Sequence, residues 1–266
     1  MIKRSTFAAG YRRAQGDVEA CLSAYLKAQG EEQVHQLRTA IRRFDRCSAL
    51  LPASLRKGKA MRRYRFRLRK LLKLNNRLRD LDTIRRGMGQ ALADPDLAWL
   101  RSMISSERSS LEGPARQLAS SIAPQGPAID WDKIGRRKLR RRFVKVAVRM
   151  LEELEDDLGV VLRDPRATET MHSLRIAAKE LRYTLELLPK EEAVGVLRAL
   201  KGCQDALGSI RDIDITTEYL RGFDRQRGLG VFIAEKREER RQLYLRFVDA
   251  QKRYPLVKRT RAAVSA

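Results

Sequence analysis

The feature that most constrains this chain is a pattern written twice. Val34-His35-Gln36-Leu37-Arg38-Thr39-Ala40-Ile41-Arg42 runs on through Phe44 and Arg46 to Leu50-Leu51. It returns as Met171-His172-Ser173-Leu174-Arg175-Ile176-Ala177-Ala178-Lys179, continuing through Leu181 and Arg182 to Leu187-Leu188. The chain holds 2 histidines, and both occupy the same place in this pattern, 137 residues apart in a chain of 266. Leu68-Arg69 and Arg79-Asp80-Leu81-Asp82 are echoed 132 residues later by Leu200-Lys201 and Arg211-Asp212-Ile213-Asp214. The spacing reads as a tandem duplication whose second copy is shorter after Leu51, with the function expected where the copies face each other.

Hydrophobic periodicity is helical almost throughout, with no convincing period-2 run. Helices are expected at about 4–28, 31–51, 54–87 and 94–121, with Gly30, Pro52 and Pro95 as stop and start signals. Pro124-Gln125-Gly126-Pro127 reads as the linker. Further helices follow at about 130–158, 164–188, 189–223 (broken or bent at Gly208) and 228–254. The expected fold is all-α, two tandem four-helix bundles over residues 1–123 and 130–254. Residues 255–266, with Lys258, Arg259 and Arg261, are expected to be a loose basic tail.

At 100° per residue, His35, Arg38, Arg42 and Arg46 share one face of their helix, while Leu37, Ile41, Phe44 and Leu51 share another. His172, Arg175, Lys179 and Arg182 repeat the cationic face against Leu174, Ala178, Leu181 and Leu185. Arg43 aligns with Glu180, both off the stripe, so charge sign is free there while the stripe stays cationic. Arg62, Arg65, Arg69 and Lys73 form a similar stripe opposite Met61, Tyr64, Leu68 and Leu71. Arg137, Arg141 and Lys145 do so opposite Leu139, Phe143 and Met150, and the first helix adds Arg12 and Arg13. Val194 and Leu197 stand where the first copy has Arg62 and Arg65, so the site should be stronger in the first half.

Composition sharpens the reading. Lys+Arg 57 against Asp+Glu 33 gives a net charge of +24, weighted to arginine, whose planar fork bonds two oxygens of one phosphate. Like charges on facing surfaces repel, so a polyanion is expected to neutralise them. The 3 cysteines, Cys21, Cys47 and Cys203, are isolated and suggest neither a disulfide framework nor a zinc site. No signal core or membrane span is apparent, so a cytoplasmic protein is expected.

The duplicated His-x-x-Leu-Arg-x-x-x-Arg/Lys helix, together with Leu207-Gly208-Ser209-Ile210-Arg211-Asp212, resembles the CHAD family, the conserved histidine α-helical domain. The resemblance extends from the first helix to about Tyr254. It implies two four-helix repeats with pseudo-two-fold symmetry around a basic central channel that binds inorganic polyphosphate. It also implies a place on polyphosphate granules and a protein partner of polyphosphate metabolism. By resemblance the binding role falls on His35, Arg38, Arg42, Arg69, His172, Arg175, Lys179 and Lys201. Stripe geometry alone adds Arg46, Arg62, Arg65, Lys73, Arg141, Lys145 and Arg182. Asn75-Asn76 departs from Leu207-Gly208 of the second copy, so the bend of the third helix should differ.

No catalytic residue, metal ligand or cofactor is expected. Polyphosphate offers closely spaced anions and no bases, and the stripes carry no aromatic residue in register for stacking. One alternative is sequence-independent nucleic-acid binding through the same arginines. Another is a metal-dependent phosphoanhydride hydrolase using Asp80, Asp82, Asp212 and Asp214. Residues two apart on a helix point to nearly opposite sides, however, so one Asp of each pair is expected to brace an arginine.

Overall fold

A computed structural model describes residues 2–89, 95–188, 190–223 and 229–265, all helical or irregular. The helices are α1 (Arg4–Lys27), α2 (Glu31–Leu50), α3 (Ala53–Arg56), α4 (Lys59–Gly87) and α5 (Pro95–Ser120). They continue with α6 (Arg136–Val161), α7 (Thr168–Leu185), α8 (Lys190–Arg221), α9 (Gly230–Arg253) and α10 (Leu256–Ser265). The expected all-α class holds. The expected helix starts at Asp94, Pro189 and Gly228 lie outside the described residues.

Two compact units divide the chain: Lys3–Leu139, and Arg140–Ala266 together with Met1–Ile2. In the first, α1 packs on α2 and α5, α2 on α4, and α4 on α5. Phe7, Tyr11, Phe44, Tyr64 and Trp131 form a cluster with ring centroids 5.4–6.5 Å apart, the tilted and edge contacts that aromatic quadrupoles favour. Trp131 explains why α6 starts at Arg136 rather than near Asp130. Its ring joins the cluster, and Asp130 Oδ1 accepts the Asp132 amide at 3.2 Å, holding residues 130–135 in turns.

In the second unit α8 is the hub, touching α7, α9 and α10. The buried Tyr244 of α9 donates to the Val161 carbonyl at the end of α6, 2.9 Å away. Asp164 Oδ1 accepts the Arg166 amide at 2.8 Å, and this local turn delays α7 to Thr168. In place of the loose tail expected over 255–266, residues 256–265 form α10: Leu256 and Thr260 bury its first turns against α8, and Arg261 pairs with Glu155. The long third helix expected from Ser54 is two helices, parted at Lys57-Gly58, and α8 runs unbroken through Gly208.

Candidate functional site

The two histidine helices are built in one register. His35 is the fifth residue of α2 and His172 the fifth of α7. Val34, Leu37, Ala40, Ile41, Phe44, Cys47 and Ser48 are buried in α2. Met171, Leu174, Ala177, Ala178, Leu181, Thr184 and Leu185 are buried in α7, each 137 positions later. Those residues occupy one side of each helix, which leaves His35, Arg38 and Arg42, and likewise His172, Arg175 and Lys179, on the rest.

In the first unit a carboxylate and an amide organise the stripe. Arg38 Nε donates to Asn76 Oδ1 at 3.0 Å and Arg42 Nη2 to the same oxygen at 3.4 Å, joining α2 to α4. Around Asp45 gather Arg65 at 2.8 Å, Arg69 at 3.1 Å and Arg46 at 3.3 Å. Asp45 and Arg65 are largely enclosed, with side chains 15% and 12% exposed, whereas Arg69 is 57% exposed. Arg62 and Lys73 stand exposed on α4. Thus Arg46, Arg65 and Arg69, read from the sequence as ligand-facing cations, already share one internal anion.

Burial raises the Asp45 carboxyl, but Arg65 and Arg69 more than offset this and hold it below its ordinary 3.8. The folded form therefore binds its proton at lower pH than the unfolded form does. This contribution to stability is complete above the ordinary carboxylate range and is lost as pH falls through the lowered value. Asp45→Asn should remove that slope, so acid titration of the variant followed by helicity should show a weaker dependence below about pH 4.

The second unit differs at these positions. Arg182 stands where the 137-residue offset puts Asp45, and it bonds Glu186 at 2.7 Å and Gln204 at 3.2 Å. Its guanidinium lies 4.7 Å from the centre of the Tyr183 ring, with the Lys179 ammonium 5.8 Å away. Tyr183 is an aromatic residue the sequence reading did not place beside the stripe. Its ring is buried, so it supports cations from beneath and offers no face to a base. Gly208 replaces Asn76, and Arg175 lies over it, its Nε 3.5 Å from where a Cβ would stand. Lys201 pairs with Asp205 on an exposed face, and Arg141 and Lys145 are exposed on α6.

Behind each stripe lies an arginine that the sequence reading missed. Arg108 of α5 donates to Asp82 Oδ1 at 2.7 Å and to the Gln29 carbonyl, just before α2, at 2.7 Å. Arg240 of α9 donates to Asp214 Oδ1 at 2.5 Å and to the Pro165 carbonyl, just before α7, at 3.0 Å. Asp82 is fully buried and Asp214 nearly so. One Asp of each duplicated pair therefore braces an arginine, tying two helices to the loop that launches the histidine helix. The signal was present: Glu107-Arg108 recurs 132 residues later as Glu239-Arg240. The cysteines form no disulfide, and burial pushes the Cys203 thiol up to about 12, which keeps it protonated and unreactive. Among the described residues no cluster of His, Cys, Asp or Glu could hold a metal ion, and no helix is long and apolar enough to cross a membrane.

These features define a class: an all-α protein whose histidine helices bury one face and array cations on the other. The chain belongs to the CHAD family, whose model matches residues 12–221. Its fold is similar to the crystal structure of the CHAD domain from the plant Ricinus communis, with a TM-score of 0.59 and 17% identity over 99% of this chain and 91% of that one. No curated protein matches the sequence.

Proposed function

We propose that this CHAD protein binds inorganic polyphosphate, without catalysis, through the cationic faces of α2 and α7 and the arginines of α4. The observation that carries the reading is the shared burial register of α2 and α7, which commits the apolar side to packing and leaves His35, Arg38 and Arg42, with His172, Arg175 and Lys179, for a ligand. Guanidinium and ammonium groups one helical turn apart suit a flexible chain of closely spaced phosphates, each held by charge-assisted bonds. Buried Tyr183 favours such a ligand over unpaired bases, which need exposed aromatic faces. Binding of this kind would carry the protein onto polyphosphate granules where a cell forms them.

Titration with long-chain polyphosphate at near-physiological salt, with a DNA duplex in parallel, tests the reading. Tight binding of polyphosphate that DNA does not displace at matched phosphate concentration is expected. Preference for the duplex would instead assign the arginines to a nucleic-acid backbone. Phosphate release during incubation with polyphosphate and Mg²⁺ would overturn the non-catalytic part.

A further inference from the structure

A second cationic feature, separate from the stripes, lies wholly within the unit formed by residues 140–266. It is a cavity of about 800 Å³ bounded by the loop before α7, the first turn of α7, the C-terminal half of α8, and α9. Its walls carry Arg166, Arg211, Arg221 and Arg237, and its back is formed by Arg240, already pinned to Asp214. None of the stripe residues lines it. Glu169 and Glu218 also face it, so with the Asp214–Arg240 pair neutral the lining keeps a cationic excess.

Three observations make this more than a basic surface. Among the described residues, none of the four wall arginines forms an ion pair with a carboxylate, in contrast to Arg240 beside them. Arg211 Nε is buried and has no hydrogen-bond partner, a donor that costs free energy to leave unmet. The corresponding corner of the other unit is built differently. There Arg85 and Arg86 fall on Glu31, at the positions that correspond to Thr217, Glu218 and Thr168 in the cavity. Threonines in place of Arg85 and Glu31 remove that internal pair from the cavity.

We propose that this cavity is a binding site for a compact oligophosphate, a small molecule carrying two or more adjacent phosphate groups. The volume far exceeds one phosphate and falls in the range of small-ligand pockets. The first turn of α7, Thr168 and Glu169 of which line the cavity, adds the positive end of its dipole, which favours an anion there. No aromatic side chain lines the cavity, so phosphates rather than a base dominate recognition. The proposal goes beyond polyphosphate binding by the stripes and stands whether or not that binding occurs.

Calorimetric titration of the full chain with inorganic tripolyphosphate tests it, with orthophosphate as the weak comparison. The variant Arg221→Gln/Arg237→Gln alters two exposed side chains and leaves the core untouched. It should weaken tripolyphosphate binding about tenfold or more, as the loss of charge-assisted bonds predicts. A second variant, Arg38→Ala/Arg42→Ala, should retain one tripolyphosphate site of unchanged affinity. Tripolyphosphate binding unaltered by the cavity variant, or orthophosphate binding as tightly as tripolyphosphate, would overturn the proposal. A free oligophosphate and the end of a long chain share this chemistry. Displacement of tripolyphosphate in proportion to chain ends identifies the second source, and failure of long chains to displace it identifies the first.

Discussion

Replacing Arg38, Arg42, Arg175 and Lys179 together with alanine should abolish polyphosphate binding while leaving helicity intact. Each side chain offers at least one charge-assisted bond, worth about 1.5–3 kcal/mol net, so losing four exceeds a thousandfold in affinity. The fold should survive. All four positions lie off the buried side of α2 and α7, and alanine is the best helix former. The contacts sacrificed in the first unit include the pair of bonds to Asn76, which is only half-buried. Arg43→Ala, a neighbouring charge off the stripe, is the control and should bind normally. Polyphosphate binding by the fourfold variant equal to that of the unaltered protein would refute the site.

The largest effect on stability should come from Asp82→Ala. Asp82 has no solvent exposure, and Arg108 beside it is 15% exposed. Removing the carboxylate takes from the guanidinium its fully buried partner and leaves it Glu112 and the Gln29 carbonyl, a loss of about 3 kcal/mol. For a unit of this size the melting temperature should fall by roughly 10 °C. Replacing both partners with apolar residues, Asp82→Leu with Arg108→Met, should recover part of that loss, since the penalty lies largely in the guanidinium left facing the emptied buried position. Thermal denaturation by circular dichroism reads both, and an Asp82→Ala melting temperature within a degree of the parent would show that the pair does not brace the bundle.

The helices were legible because their apolar side chains recur with the helical period and because Gly30 and Pro52 punctuate them. The cationic faces were legible for the same reason, as arginines three and four apart must share a side. What was not legible were partnerships between helices. Nothing in the spacing around Asp45 says that Arg65 and Arg69, some twenty positions later, fold back onto it, because only the packing of α2 on α4 brings them there. Residues 130–135 read as helix, yet Trp131 contributes more as a buried ring than as a turn of α6. Basic residues 258–261 read as tail because charge outweighed the two contacts, Leu256 and Thr260, that seat α10.

For a ligand bound as proposed, Asp45 would also act as a tethered competitor. Its effective concentration beside Arg46, Arg65 and Arg69 is set by the fold, and for short tethers such values are of millimolar order. Any anion that approaches these arginines has to displace a carboxylate that never diffuses away. A single phosphate at ordinary concentrations would gain little from that exchange, whereas a chain of phosphates would engage several cations at once and keep its other contacts when one is refused. Under the proposed function the first unit would thereby favour a ligand that carries several charges in a row, while in the second unit Arg182 stands in place of Asp45 and pairs with Glu186 of its own helix end.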